Sequence, residues 1–524
     1  MEQKTNPIHW TDVAAENIIR EKGDKKKYVL AAGITPSGTV HIGNFREIIT
    51  VDLVRRALEK RGKKVRFIYS WDDYDVFRKV PKNMPKQDML QTQLRRSIVD
   101  VPDPYDQHES YARHNEVPVE EDVHKVGISS EFIYQSKEYK KCRYAKEIRH
   151  ALQNNDKIKN ILNEYREEPL SEDWLPVAVF SNTLGTDVVT NLRYDGDWGL
   201  SYTLEDGSIE SIDIRKDGNV KLKWRVDWPM RWAFEKVDFE PGGKDHSSPG
   251  GSYDTGKKIC KEVWNFDAPT YVRYDFVIVK GEGGKMSSSS GNVITLRDVL
   301  EIYEPEIVRY LFAGTRPNKE FSISFDMTDV LAVYEEFDKV ERIYFGEQKV
   351  NEKETEKCKV TYELSTIGDI PKSIPYQPSF RNLTALVQIY DFNVEKVVKY
   401  LEKELKSNQD KQRLRARTEC AINWVQNYAP EESKFKVQEK SQVTLKAEEK
   451  KILAELADKL EEKEWTDKEL HEEIYTTCKN HDFQTKDFFT IAYRVLINKD
   501  QGPRLASFIL EIGRKKVAKL FRSV

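Results

Sequence analysis

The sequence predicts an α/β fold: a Rossmann-type doubly wound parallel sheet, interrupted by an inserted module and followed by an all-α C-terminal region. Three observations carry this. An apolar strand, a glycine loop, a helix and a second strand follow one another between Tyr28 and Ser70. The same order returns after residue 226, and amphipathic helical patterns run from about residue 300 onward. Parallel strands need helical crossovers, so strand–loop–helix–strand opens such a sheet, and ligands then bind at the C-terminal strand ends.

The elements follow in order. Trp10, Val13, Ala14 and Ile18 share one face of a helix over 11–22, and Gly23 stops it. Residues 28–32 form a short buried strand, and Gly33 to Gly38 a loop. A helix over 44–60 gathers Phe45, Ile48, Ile49, Leu53 and Ala57 on one face, and Gly62 ends it. Residues 65–70 make the second strand, from which Trp71-Asp72-Asp73-Tyr74-Asp75 emerges. In the second half, 237–240 is a strand, 252–264 a helix and 276–279 a further strand of the same sheet. Between the halves lies an insertion, helical over 138–165 and then with β-prone runs and Asp-Gly turns near 176–226. The polar stretch 346–360 reads as a connection, and helices over 393–405 and 448–460 follow. The expected divisions are 1–100, 101–225, 226–300, 301–345 and 346–524.

Composition bounds the partners. A chain of 524 residues exceeds one compact core and suggests roughly three or four domains. The net charge of −3 leaves nucleic-acid binding to local basic patches. The start MEQKTNPIHW is polar, so no leader is expected, and no apolar run suits a membrane. The five cysteines lie far apart, so neither a disulfide framework nor a Cys-x-x-Cys ribbon is expected. A cytoplasmic protein with reduced thiols is the plain expectation.

Two loops carry the chemistry. At His41-Ile42-Gly43-Asn44, Gly43 lets a ligand approach the backbone at the mouth of a helix, whose N–H groups favour phosphate. His41 and Asn44 add side-chain donors. The alternative is a plain helix entry with a core histidine. At 281–291, three glycines precede Lys285, and Met286, Ser287, Ser288 and Ser289 follow, a segment able to wrap an anion. Its alternative is a solvated surface loop. Both loops leave C-terminal strand ends in opposite halves of the predicted sheet.

These motifs resemble the "HIGH" and "KMSKS" signatures of class I aminoacyl-tRNA synthetases, with Asn44 and Ser288 as departures. Ala32 to Gly38, Asn44-Phe45-Arg46-Glu47, Trp71 to Asp75, Val226 to Trp232 and Gly243-Lys244-Asp245-His246 narrow the resemblance to class I lysyl-tRNA synthetase, the archaeal and spirochaetal type. The resemblance implies a ligase that forms lysyl-adenylate from L-lysine and ATP and passes lysine to the 3′ end of tRNA(Lys). MgATP is then a substrate, 301–345 a stem-contact connection and 346–524 an anticodon-binding region. The chain would act as a monomer.

By resemblance, His41, Gly43 and Asn44 hold ATP from one side, and Lys285, Met286, Ser287, Ser288 and Ser289 from the other. His41, Asn44 and Lys285 are the catalytic candidates. The resemblance assigns lysine to Gly33, Thr35, Trp224, His246 and Tyr274. Asp73 and Asp245 join them on chemical grounds, because a buried ammonium prefers a carboxylate. Trp224 and Tyr274 could instead be core aromatics, and the acidic run 72–75 could cap a helix or pair with Arg78. Relatives carry zinc cysteines in the insertion. Ser181, Leu184, Leu204 and Asp206 stand at the matching positions, so no structural zinc is expected. The basic run 411–417, the basic end at Arg514 to Arg522, Trp424, Tyr428 and Phe435 are candidate RNA contacts. Glutamyl- or glutaminyl-type synthetases and a non-catalytic RNA-binding paralogue are the competing readings.

Overall fold

In the computed structural model, residues 8–280, 293–441 and 443–524 are described. The chain forms two compact units. The first comprises 1–300, 305–324 and 339–370, the second 301–304, 325–338 and 371–524.

The first unit is built on a five-stranded parallel sheet. Helix α1 (Trp10–Lys22) is capped by His9, whose ring accepts from Thr11 N–H. Strand β1 (Lys27–Ile34) pairs along its whole length with β2 (Lys64–Trp71). Helix α2 (Ile42–Lys60) crosses between them and buries Phe45, Ile48, Ile49, Leu53 and Ala57. Across the sheet the order is Thr270–Tyr274, Phe239–Gly243, β1, β2 and β3 (Glu131–Tyr134). The order reverses between β1 and Phe239–Gly243, which is where a doubly wound sheet opens its ligand crevice.

Three expectations shift here. β3 comes from inside 101–225, so the first half of the sheet extends past residue 100. Four residues, Glu131-Phe132-Ile133-Tyr134, are too few to stand out by periodicity. The strand 276–279 is not part of the central sheet. Val277–Val279 pairs with Phe321–Ile323 in a separate parallel ribbon, and Thr270–Tyr274 takes the edge position instead. The helical stretch read over 138–165 starts earlier, at Gln135, and consists of three helices: Gln135–Lys140, Ala145–Gln153 and Asn155–Asn163. The first break falls at Cys142, whose φ of 53° is left-handed.

The β-rich part of the insertion holds a two-stranded ribbon, Val177–Val179 with Val220–Leu222, and a three-stranded antiparallel sheet over 190–213. Leu200, Tyr202, Leu204 and Ile212 pack into one core with Phe180 and Val220. Ser181 is buried and its Oγ accepts from Leu184 N–H at 2.8 Å. Leu204 is in the core, and Asp206 holds the following turn through Ser208. Glu210 ties the Ser181–Leu184 turn to this sheet by accepting from Asn182 N–H at 2.9 Å and the Tyr202 hydroxyl at 2.5 Å.

The stretch 346–360 is largely helix, not a loose connection. Asn351 caps Glu352–Ser365, and 339–370 clusters with the first unit. The last region therefore starts near 371 rather than 346. It contributes eight helices to the second unit among the described residues, from Phe380–Ile389 to Arg514–Arg522.

Candidate active site

The His41 turn is closed by its own groups. His41 caps α2: its Nδ1 accepts from Gly43 N–H at 3.1 Å, and Asn44 Oδ1 accepts from His41 N–H at 3.1 Å. Accepting at Nδ1 puts the ring proton of the neutral imidazole on Nε2. A Cβ on residue 43 would meet the His41 ring at 2.8 Å, so Gly43 is required by the histidine itself. Ile42 N–H donates to Ile294 O and Asn44 N–H to His41 O, both at 2.8 Å. The first three helical N–H groups are thus engaged within the protein, so the expected phosphate contact through them is not open in this turn. The turn offers an anion the helix dipole, an imidazole N–H and the Asn44 amide NH₂. A cavity of about 190 Å³ lies against it, walled by Phe45, Ile48, Tyr69, Asn115 and Val119. Lys285, Met286, Ser287, Ser288 and Ser289 fall outside the described residues.

A second cavity, of about 70 Å³, sits at the switch point of the sheet, lined by Gly33, Glu47, Asp72, Trp224, Glu240 and His246 among others. Three indoles from successive turns of the helix Trp224–Glu235 form one wall. Trp224 stacks on Trp228 at 5.1 Å, and Trp228 packs against Trp232 at 4.6 Å. His246 closes on the first two, and burial lowers its pKa. Four acidic residues, Glu47, Asp72, Glu235 and Glu240, share the lining with the indoles. Glu240 accepts from Trp228 Nε1 at 3.0 Å and Trp232 Nε1 at 2.6 Å, and burial raises its pKa against those bonds. Asp72 is held at 2.7 Å by Arg231, itself beside Asp227. Glu47 accepts from Gly33 N–H at 2.9 Å and the Tyr274 hydroxyl at 2.5 Å. Burial pushes its carboxyl up to about 8 against these two bonds.

Of the lysine candidates, Gly33, Trp224 and His246 line this cavity, and Tyr274 reaches it through Glu47. Thr35 stands one step away: its hydroxyl donates to Asp75 at 3.1 Å, and Asp75 pairs with buried Lys221 at 2.6 Å. Burial opposes the Lys221 charge, but Asp75, Asp227 and Asp72 outweigh it and raise its pKa. The two acidic candidates are corrected. Asp73 accepts from Ser136 N–H at 2.7 Å, at the start of Gln135–Lys140. It serves as a helix cap, and its neighbour Asp72 lines the cavity. Asp245 is exposed on the turn Lys244–His246 and does not line it. Glu47 and Glu240 were missed. A charged side chain inside the apolar stretch 45–49, and another inside the strand before Pro241-Gly242-Gly243, were the available signals.

In the second unit, the basic run 411–417 is mostly spent on structure. Arg417 is fully buried on Glu304, Asp338 and Pro378 O, Arg413 pairs with Glu304, and Arg415 with Glu395. Trp424 is core, donating to Phe325 O at 2.7 Å. Tyr428 is about one-third exposed against Phe325, and Phe435 lines a cavity.

A family model described as tRNA synthetases class I (K) matches residues 8–368, and one described as an anticodon binding domain matches 375–522. Lysine–tRNA ligases from Borreliella burgdorferi and Treponema pallidum are 49% and 46% identical to the chain, each alignment covering 98% of both sequences. The lysine–tRNA ligase of Thermococcus kodakarensis is 45% identical, covering 98% of this chain and 99% of its own. Among the described residues, no helix is long and apolar enough to cross a membrane.

Proposed function

The chain belongs to the class I tRNA synthetases of the lysine type, and we propose that its first unit activates L-lysine with MgATP and transfers it to tRNA(Lys). The observation that carries the lysine reading is the cavity at the switch point, an indole wall facing Glu47, Asp72 and Glu240. Indoles suit the methylenes of lysine, and a buried carboxylate suits its ε-ammonium. A glutamyl or glutaminyl site would need a cation for the substrate. Among the described residues, the one arginine lining this cavity, Arg231, is already neutralised by Asp72 and Asp227.

In the first step a lysine carboxylate oxygen attacks the α-phosphorus of ATP. The bond to the bridging oxygen breaks, and pyrophosphate leaves with the electron pair. In the second, a ribose hydroxyl at the tRNA 3′ end attacks the carbonyl carbon. The bond from that carbon to the AMP phosphate oxygen breaks, AMP leaves with the electron pair, and the hydroxyl proton passes to solvent. No protein nucleophile is needed, so the site acts by positioning and by stabilising charge. His41 and Asn44 direct donors at the phosphates from the mouth of α2. Lys285 brings positive charge toward the leaving pyrophosphate, and Ser288 contributes no second charge. Magnesium enters with ATP. Among the described residues, no group of three or more His, Cys, Asp or Glu could hold a metal ion.

Aminoacylation with total tRNA, ATP and each amino acid in turn tests this. Attachment of lysine alone is the expected result, and attachment of a different amino acid, or of none, defeats it. Lys285→Ala should slow adenylate formation by about 10²-fold or more while lysine affinity changes little. Equal losses in both would assign the loop a structural part only.

A further inference from the structure

Behind the switch-point cavity runs a chain of buried charges that the two reaction steps leave unexplained, and Lys221 stands at its centre. This lysine lies on the short strand Val220–Leu222, opposite Ala178, and is only 4% exposed. An ammonium so deep must be paired. Its Nζ reaches Asp75 at 2.6 Å and Asp227 at 3.5 Å. Asp227 is fully buried, accepts from the Tyr139 hydroxyl and lies 3.4 Å from Arg231 Nε. Arg231 continues to Asp72 and to Ser70 Oγ, both at 2.7 Å. On the other side, Asp75 accepts from the Thr35 hydroxyl at 3.1 Å.

Both ends of the chain meet the candidate lysine site, and its centre does not. Asp72 and Arg231 line the cavity, and Thr35 is one of the lysine candidates. Lys221 instead lines a neighbouring cavity of about 540 Å³, so it acts on the first only through its partners. Trp224 borders both cavities, starting its helix one residue beyond the strand that carries Lys221. Among the described residues, the ion pairs of this chain join three carboxylates to two cations, Lys221 and Arg231. One negative charge is left over beside a pocket that would read a cation. Burial works against the Asp75 charge, and Lys221 outweighs it. Burial raises the Asp72 pKa, and Arg231 and Lys221 hold that rise in check. Without the ammonium, three buried carboxylates would compete for one guanidinium. Arg231 would be drawn off Asp72, and Thr35 would lose an anchored partner.

We propose that Lys221 is a positioning residue for lysine selection: by neutralising Asp75 and Asp227 it keeps Arg231 turned onto Asp72 and Thr35 at the edge of the pocket. The proposal rests on the lysine reading above. It assigns the leftover negative charge of the chain to the recognition of the cationic substrate. That charge, rather than the lysine side chain itself, is what has to be preserved. Two substitutions of opposite sign should therefore compensate each other. Lys221→Met removes a positive charge and Asp75→Asn a negative one, and the asparagine can still accept from Thr35.

The test measures aminoacylation by the full chain with total tRNA. Each single variant should raise the lysine KM by about tenfold or more, while the ATP KM and kcat at saturating lysine change by less than about threefold. The double variant, with the wild-type charge restored, should bring the lysine KM back to within about threefold of the wild type. An unchanged lysine KM in Lys221→Met overturns the proposal. So does a comparable rise in the ATP KM, which marks a general disturbance of the fold. Should Lys221→Met fail to fold, Asp75→Asn and the double variant decide. A double variant whose lysine KM lies well below that of Asp75→Asn supports the compensation, and one whose lysine KM is no lower overturns it. A wild type that charges no lysine sinks the lysine reading. A wild type that charges lysine while the compensation fails sinks only the role of Lys221.

Discussion

Glu47 links three residues of the candidate lysine site, because Gly33 and Tyr274 both donate to it and its carboxyl lines the cavity floor. With its pKa raised to about 8, Glu47 is neutral in the empty pocket at pH 7. An ammonium needs the ionised form, so lysine binding should expel a proton. The expected consequence is lysine affinity that rises from pH 6 to about 8 and then levels, until the ammonium deprotonates near ~10.4. Calorimetry in two buffers of different ionisation enthalpy would reveal the released proton; a pH-independent affinity with no proton release excludes the role. Glu47→Gln should raise the lysine KM by about 10²-fold, flatten this pH profile and spare the ATP KM. Tyr274→Phe removes one bond to the carboxylate and should move the profile to higher pH, a shift that loss of packing alone would not give.

At the scale of elements, α2 does most to assemble the site. Its first turn presents His41 and Asn44, and its second turns Glu47 toward the cavity while Arg46 faces the other way. Arg46 donates to four carbonyls, Asp275 O, Phe276 O, Arg316 O and Lys319 O, at 2.6–3.1 Å. These bonds fix the approach to Val277–Val279, the strand that leads to the Lys285 segment. Arg46→Met would leave those carbonyls without a donor. It should destabilise the first unit by on the order of 3 kcal/mol in denaturant titration, whereas a loss below about 1 kcal/mol would mean the bonds are replaceable. The helix itself was legible in the sequence to within two residues, because a long apolar face between glycines has one reading. The same was true of α1, β1, β2 and the helix Ser252–Trp264. The short strands were not, since Glu131–Tyr134 and Thr270–Tyr274 owe their place to neighbours in the sheet rather than to pattern. Asp72 and Asp73 follow the end of β2 in a turn, where no period fixes which side chain faces the crevice, so the run 72–75 does not by itself distinguish Asp72 from Asp73. Glu47 was hidden for a different reason: a glutamate on a helix reads as solvated until a cavity is known to face it.

Across the whole molecule, buried carboxyls fall into two sets with opposite pH signs. Glu47 and Glu116 are pushed up to about 8, Glu511 to about 7 and Asp73 to about 6, in each case chiefly by burial. A carboxyl whose folded pKa is raised contributes stability that is complete below its unfolded pKa and lost as pH climbs through the folded one. Asp52, Asp75 and Asp410 lie in the other set. Burial works against them, but Arg309 with Arg55 and Arg56, Lys221, and the N–H groups of Tyr376 and Lys406 respectively outweigh it and lower their pKa values. Their contribution is present above about 4 and lost below it. His9, lowered by burial to about 4, adds stability that is lost as pH falls from its ordinary value through 4. Above about pH 4.5 the four raised carboxyls lose stability faster than His9 adds it, so the fold is more stable at pH 5.5 than at pH 8.5. The apparent Tm should therefore fall by several degrees between pH 5.5 and 8.5. Because the lysine ammonium would keep ionised Glu47 partnered, saturating lysine should recover part of that loss at pH 8.5 and little at pH 5.5. Thermal scans across the two pH values, with and without lysine, measure both effects. A Tm that rises toward pH 8.5 would remove the burial argument, and equal stabilisation by lysine at both pH values would remove Glu47 from the lysine site while leaving the fold untouched.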